Sequence, residues 1–237
     1  MDSITKFDGI DYTNTFAKKI SVMHELVKNV LSGQLSKRDD IIDIGGGPGI
    51  GAKMIEELGI EATVTNIEPS TTIYDVPQLS LVKYIPLKMS FKEALDTQLP
   101  CTANCLLMVS SEHEIALCNC QTPKENKKIF FEDLNKFIHK NLKRNGSFVI
   151  GFPNYRKGAS KTEIARQRRL TESLLGHSHP KEEYFTVEEF SAAFSAQPVV
   201  FIQKPMNLAN ENPEETILRA NVAVFKIEVF PGISPAV

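Results

Sequence analysis

The sequence predicts an α/β fold, with helices on both faces of a mostly parallel β-sheet and an antiparallel last strand. First, a short β-branched run at residues 41–44 leads into a glycine cluster, and a helical pattern starts at Ala52. Second, short apolar runs typical of buried strands alternate along the chain with segments of helical periodicity. Third, two strand-like segments near the end, 199–202 and 220–229, have no helical pattern between them, which predicts antiparallel pairing.

The glycine cluster at residues 45–51 is the stretch around which the rest of the chain is organised. It lies between a predicted buried strand and a predicted helix that Gly59 ends. Glycine allows the backbone to turn tightly and to approach a ligand without a Cβ in the way. The following helix directs its free N–H groups and the positive end of its dipole toward this turn. A carboxylate or phosphate is therefore favoured there.

Two kinds of cofactor can use such a loop. Gly47, Gly49 and Ala52 fit the loose dinucleotide pattern. The longer string Asp43-x-Gly45-x-Gly47-Pro48-Gly49 resembles motif I of the class I S-adenosylmethionine-dependent methyltransferases. A carboxylate at the end of the strand suits a cofactor that carries an ammonium group and not a pyrophosphate. Glu68 ends the second predicted strand about 20 residues beyond the loop, where a ribose-binding acid belongs.

The resemblance covers roughly residues 40–229 and implies a Rossmann-like, seven-stranded sheet and a single methyltransferase domain over residues 1–237. It implies S-adenosyl-L-methionine as the cofactor. The family takes an adenine contact after its third strand, often from an acid; here Met89 and Ser90 occupy that place. The predicted cofactor-binding residues are Asp43, Gly45, Gly47, Gly49, Glu68, Ser90 and Ser110.

The remaining elements follow from periodicity and from helix-capping signals. Amphipathic or apolar helical patterns cover residues 15–31, 52–58, 125–142 and 162–175. Capping boxes at Ser90–Glu93 and Thr186–Glu189 each start a further helix. The predicted strands are 41–44, 62–67, 80–85, 104–111, 147–151, 199–202 and 220–229, with a turn at residues 143–146.

Residues 110–114 follow the fourth strand and should face the reacting methyl group, because ligands in this architecture bind at the carboxyl ends of the strands. His113 is the predicted catalytic base, since imidazole titrates near neutral pH. Glu112 and Glu114 are alternative bases, and they are predicted to bind the substrate, where they could hold an amine cation. The alternative is that this run only caps the next helix or is solvated.

Two segments are candidate lids over the acceptor. Residues 152–184 form an insertion between strands five and six that is longer than most connections. Its arginines, with His177, His179 and Tyr184, could grip an anionic acceptor, although a solvated helix face is an equal alternative for the arginines. Residues 1–38 form an N-terminal helical segment in which Tyr12 is a second substrate-binding candidate. No metal ligands are predicted, because Cys101, Cys105, Cys118 and Cys120 lack common zinc spacing and His177-x-His179 lies in a loop-like stretch.

Charge and hydropathy limit the partners. The net charge is −2 with acids and bases interspersed, which argues against a nucleic-acid surface. No apolar run reaches transmembrane length and no signal-peptide pattern is present, so we expect a cytoplasmic monomer or homodimer without membrane contact. The predicted function is methyl transfer to an oxygen or nitrogen of a small-molecule acceptor. An NAD(P)-dependent oxidoreductase and a non-catalytic cofactor-binding module are the alternatives.

Overall fold

The computed structural model describes residues 21–74, 76, 78–117, 121–175, 179–206 and 216–228. Seven strands form one sheet in the order β3-β2-β1-β4-β5-β7-β6. The neighbours from β3 to β5 are parallel, whereas β7 runs antiparallel to both β5 and β6. This confirms the predicted fold class. The strands are β1 (Asp39–Ile44), β2 (Ala62–Ile67), β3 (Val82–Leu87), β4 (Ala103–Val109), β5 (Leu142–Tyr155), β6 (Val200–Pro205) and β7 (Leu218–Lys226).

Seven α-helices lie among the described residues, and capping explains where several of them start. Ser90–Glu93 and Thr186–Glu189 form the two predicted capping boxes, and Thr122–Glu125 forms a third that the sequence analysis missed. Gly59 has a φ of +69°, as expected for the glycine that follows a helix. The helices are α1 (Ser21–Gln34), α2 (Ile50–Glu57), α3 (Phe91–Asp96), α4 (Glu112–Leu117), α5 (Pro123–Asn141), α6 (Lys161–Leu175) and α7 (Val187–Phe194).

The core lies on both faces of the sheet because alternate residues of each central strand point to opposite faces. In β1, Ile41 packs with α1 and α2, while Ile42 and Ile44 pack with α3, α5 and α7. Asp43 therefore points to the same face as Ile41, the face covered by α2. This alternation aims a buried carboxylate at the turn that precedes α2.

Several element bounds differ from the predicted ones, and those of β3, β4 and β5 bear on the site. β4 ends at Val109, and the unpredicted helix α4 starts at Glu112. β3 covers Val82–Leu87 and so starts and ends two residues later than predicted. β5 extends to Tyr155 because its antiparallel pairing with β7 continues from Ser147 to Tyr155. The predicted turn at 143–146 and residues 152–155 of the predicted insertion therefore belong to the strand, and the connection to α6 starts at Arg156.

None of the described helices is both long enough and apolar enough to cross a membrane.

Candidate cofactor and acceptor site

The glycine turn after β1 has the backbone geometry that the sequence predicted. Gly45, Gly47 and Gly49 all have positive φ values, of 69°, 50° and 73°. At Gly45 an added Cβ would lie 2.5 Å from the Cβ of Ser111. The Ser111 hydroxyl in turn donates to the Ile44 carbonyl over 2.9 Å. The turn therefore packs directly against the segment that follows β4, and the two predicted halves of the site are neighbours.

Asp43 lies beneath this turn and not in an open pocket. Its side chain is 1% exposed, and a Cβ at Gly46 or Gly51 would collide with its carboxylate. Neither carboxylate oxygen makes a hydrogen bond of standard geometry among the described residues, although the Gly51 N–H lies near enough to stabilise the charge. Burial raises the pKa of Asp43 to about 7, opposed by the Gly51 N–H and supported by the charge of Glu68. Direct contact between Asp43 and a cofactor ammonium group stays a prediction.

Glu68 is the acid that reaches the turn from the neighbouring strand. Its Oε2 accepts from the Gly47 N–H over 3.1 Å, and its Oε1 accepts from the Ser70 N–H over 2.9 Å. Glu68 directly follows β2, which pairs with β1. The carboxylate thus stands at the carboxyl ends of two adjacent strands, where the sequence analysis expected a ribose-binding group.

Asn66 stabilises the turn by hydrogen bonds, a role that was not predicted from the sequence. Its Oδ1 accepts from the Gly46 N–H over 3.2 Å, and its Nδ2 donates to the Gly47 carbonyl over 2.9 Å. The same Nδ2 donates over 2.7 Å to the Tyr84 hydroxyl, which donates to the Ile73 carbonyl. Burial raises the pKa of Tyr84 to about 12. An amide side chain near the end of a buried strand was the available signal for Asn66.

The two serines predicted to contact the cofactor already make structural hydrogen bonds. Ser90 caps α3, and its hydroxyl donates to Glu93 Oε2 over 2.7 Å and accepts from the Glu93 N–H. Ser110 has a φ of +55°, and its N–H donates to the Gly151 carbonyl over 2.7 Å. Both follow parallel strands at the same sheet edge as the glycine turn. Their roles as cofactor contacts stay predictions.

A compact group of ionisable side chains lies beyond Ser111; we name it the acid–histidine cluster, and it comprises Glu112, His113, Glu114, His179 and Glu183. His113 Nδ1 is 3.1 Å from Glu112 Oε1. His179 Nδ1 is 3.0 Å from Glu183 Oε2, and its Nε2 is 3.1 Å from Glu114 Oε1. The two imidazole rings have centroids 4.7 Å apart. The cluster therefore joins the first turn of α4 to the segment before α7.

The cluster is largely shielded from water. The side chain of Glu112 is fully buried and those of both histidines are 8% exposed, whereas those of Glu114 and Glu183 are 19% and 18% exposed. The Tyr184 ring packs against both imidazoles and against Tyr155. Burial lowers the pKa of His113, but the charges of Glu112, Glu114 and Glu183 outweigh burial and raise it overall. Burial raises the pKa of Tyr184 well above its usual range.

The structure brings together four of the residues predicted for the acceptor side: Glu112, His113, Glu114 and His179. Tyr184, which was also expected to contact the acceptor, lies against both imidazoles, and Glu183 and Tyr155 complete the surroundings. Tyr12 and His177 lie outside the described residues.

The arginines of the predicted insertion differ in exposure and in their partners. Arg166 and Arg169 are exposed on α6, and Arg156 pairs with Glu163 at 2.9 Å. Arg168 is less exposed, and its positive charge lowers the pKa of Tyr155, although burial raises that pKa more strongly, to about 12. Most of this arginine group therefore fits the alternative of a solvated helix face.

Comparison with known proteins identifies the fold. No protein-family model matches the chain, and no curated protein matches it in sequence. Among solved structures, the MccD protein matches with a TM-score of 0.58 and 14% identity, over 86% of this chain and 97% of its own. The N-methyltransferase NodS from Bradyrhizobium japonicum WM9, in complex with S-adenosylhomocysteine, matches with a TM-score of 0.56 and 12% identity, over 96% and 99% of the two chains.

A third solved structure is the S-adenosylmethionine-dependent methyltransferase from Thiobacillus denitrificans, also in complex with S-adenosylhomocysteine. It matches with a TM-score of 0.54 and 13% identity, over 91% of this chain and 98% of its own. The chain has the Rossmann-like, seven-stranded fold of these methyltransferases.

Proposed function

We propose that this protein transfers a methyl group from S-adenosyl-L-methionine to an oxygen or nitrogen of a small-molecule acceptor. The observation that carries the proposal is the contact between the glycine turn and Glu68, whose carboxylate accepts from the Gly47 N–H at the carboxyl ends of β1 and β2. In this architecture the ligand binds at that edge. The fold shared with methyltransferases supports the same cofactor.

The residues around the turn fit this cofactor. Glu68 presents acceptor oxygens suited to ribose hydroxyls, and Gly47 and Gly49 leave no Cβ at the turn. Asp43 supplies a buried carboxylate that makes no hydrogen bond of standard geometry among the described residues, which favours a cationic group nearby over a pyrophosphate. When bound, the cofactor supplies an activated methyl group. The protein then has to bind, align and, where the acceptor requires it, remove a proton.

The acid–histidine cluster is the proposed acceptor site. The Ser111–Ile44 hydrogen bond ties the segment before α4 to the glycine turn, so the cluster begins at the residue that directly follows this contact. His113 is the proposed base: Glu112 holds its Nδ1, which leaves Nε2 to accept a proton. Glu114 and His179 are the proposed substrate contacts, together with Glu112, Tyr12 and His177.

The lids are part of the same proposal. The predicted insertion, residues 152–184, contains the end of β5, helix α6 and part of the segment before α7, and its His179 lies 3.1 Å from Glu114 of α4. A segment that supplies a residue to the cluster is well placed to cover an acceptor. Within the predicted N-terminal lid, residues 1–38, α1 packs into the core, so we propose the same covering role only for residues 1–20. A cytoplasmic monomer or homodimer without nucleic-acid or membrane partners completes the proposal.

The two alternatives differ in what they require of the chain. A short-chain oxidoreductase needs a Tyr-x-x-x-Lys pair on a helix. The tyrosine that has this spacing in the chain, Tyr84, lies in β3 instead, and its hydroxyl forms hydrogen bonds with Asn66 and Ile73. A non-catalytic module would bind cofactor without using the cluster. A screen for methyl transfer from labelled S-adenosylmethionine to a panel of metabolites distinguishes all three.

The base is tested with His113→Ala, using His139→Ala as the control because His139 is exposed at the end of α5. On an acceptor found in the screen, we expect His113→Ala to lower kcat roughly 10²–10⁴-fold. His139→Ala should leave kcat unchanged. A rate for His113→Ala within a few-fold of the wild type would show that His113 is not the base.

A further inference from the structure

We infer that the acid–histidine cluster is a binding site for a divalent transition-metal ion, with His113, Glu114 and His179 as its ligands. One donor atom from each of these three residues lies within 4.8 Å of the others. Ligands about 2.1 Å from a zinc-like ion lie roughly 3–4 Å from one another. Side-chain shifts of about an ångström would therefore bring all three donors into coordination.

The hydrogen bonds of both imidazoles favour this assignment. His113 directs Nδ1 to Glu112 Oε1 at 3.1 Å, and His179 directs Nδ1 to Glu183 Oε2 at 3.0 Å. Histidine ligands commonly donate one ring N–H to a carboxylate, which orients the other nitrogen toward the metal. Here both imidazoles have this partner on Nδ1. Nε2 of each ring is thus the nitrogen that an ion would take, and an ion between His179 and Glu114 would replace their present 3.1 Å contact through Nε2.

The negative charge of the carboxylates in the cluster also favours the binding of a cation. Three carboxylates, from Glu112, Glu114 and Glu183, surround two imidazoles. Glu112 is completely buried, and its Oε2 has no hydrogen-bond partner among the residues that the structure describes. Buried carboxylates are costly unless a positive charge compensates them. A divalent ion between the histidines supplies that charge.

The ligand set indicates which ions fit. Two imidazoles and one carboxylate suit Zn²⁺, Fe²⁺, Mn²⁺, Co²⁺ or Ni²⁺, whereas Mg²⁺ and Ca²⁺ prefer oxygen ligands only. Three protein ligands leave at least one position for an acceptor oxygen or nitrogen. Binding of the acceptor to the ion rests on the proposed function. The ion would then lower the pKa of the acceptor oxygen or nitrogen that it binds. His113 would then act as a ligand in the metal-loaded protein and as the base only without metal.

The test measures metal binding without cofactor or acceptor. The purified full-length chain is treated with a chelator, dialysed, and titrated with Zn²⁺ by calorimetry and with Co²⁺ by visible absorption. We expect one ion per chain, with Co²⁺ bands typical of nitrogen and oxygen ligands. His179→Ala and Glu114→Gln should each weaken Zn²⁺ binding at least about 10–100-fold, and Glu183→Gln should weaken it about 10-fold. His139→Ala should have no effect.

Three results would overturn the metal site. They are the absence of stoichiometric binding to the wild type, unchanged affinity in folded His179→Ala and Glu114→Gln, and a Co²⁺–thiolate charge-transfer band, which would place the ion on cysteines. Circular dichroism checks that each variant is folded. Failure of the proposed function is distinguishable, because a protein that binds Zn²⁺ through these residues but transfers no methyl group keeps the metal site and loses only the reaction.

Discussion

Replacing Asp43 with asparagine tests whether the carboxylate beneath the glycine turn is buried without compensation. Asp43 is 1% exposed, and its pKa is raised from 3.8 to about 7, chiefly by burial. An acid whose pKa is higher in the folded protein binds more protons in the folded than in the unfolded state between these two values. The stability of the wild type therefore falls as the pH rises from about 4 to 7, and it is lowest above pH 7.

The two pKa values give the size of the effect. Between pH 5 and pH 8 the ionised Asp43 should cost the wild type about 2–3 kcal/mol of unfolding free energy. Asparagine has no charge to bury, so Asp43→Asn should not lose this stability. In a chain of this length that difference corresponds to roughly 5–10 °C in Tm. The Tm of Asp43→Asn minus that of the wild type should grow by this amount from pH 5 to pH 8.

The assay is calorimetric or circular-dichroism melting of both proteins in a series of buffers without cofactor. Glu61→Gln is the control, because the Glu61 side chain is 55% exposed at the other end of β2. Its Tm difference from the wild type should stay constant across the same pH range. A constant Tm difference for Asp43→Asn would refute the conclusion that this carboxylate is buried without a compensating partner.

Three further predictions concern the turn and the insertion. Asn66→Ala removes the braces on Gly46 and Gly47 and should cost roughly 1–3 kcal/mol in denaturant unfolding, whereas a loss below 0.5 kcal/mol would show that the turn holds itself. Gly45→Ala places a Cβ against Ser111 at positive φ and should lower the free energy of unfolding by roughly 2–4 kcal/mol. The control Gly33→Ala, which has open space around it, should raise that free energy by about 0.5–1 kcal/mol. Equal effects of the two substitutions would contradict the close packing of the turn. Limited proteolysis between residues 155 and 180 should decrease when S-adenosylhomocysteine or acceptor saturates the protein, and unchanged cleavage at saturation would exclude a covering role for the insertion.

The fold, the glycine turn and the place of Glu68 beside it could be predicted from the sequence because they depend on local signals, whereas their contacts with a cofactor stay predictions. The strand–glycine–helix pattern at residues 41–58 and the position of Glu68 are read along one short stretch. Asn66 was missed because its role appears only when β2 lies beside the turn and Tyr84 is brought in from β3. Hydrogen bonds of this kind have no periodic signature.

The acceptor side likewise depends on contacts between residues that are far apart in sequence. His113 was predicted from its place after β4, but its proximity to His179 depends on how the segment before α7 returns to α4, 65 residues away in sequence. The proposed ligand set of His113, Glu114 and His179 could not be read from the sequence, because its two histidines lie far apart along the chain and the pair considered there was His177-x-His179. The length of β5 likewise depends on its pairing with β7 and not on its own composition.

Calorimetric titration with S-adenosylhomocysteine, and in parallel with NADH, tests the central claim most directly. We predict that the wild type binds S-adenosylhomocysteine and not NADH. Gly47→Val should abolish binding because it places a branched side chain at a φ of +50°, and Glu68→Ala should weaken it by roughly 1–3 kcal/mol through lost charge-assisted hydrogen bonds. Glu61→Ala, on the opposite end of the same strand, should bind as the wild type does. Binding of NADH alone, or unchanged affinity for S-adenosylhomocysteine in folded Gly47→Val and Glu68→Ala, would contradict the methyltransferase assignment.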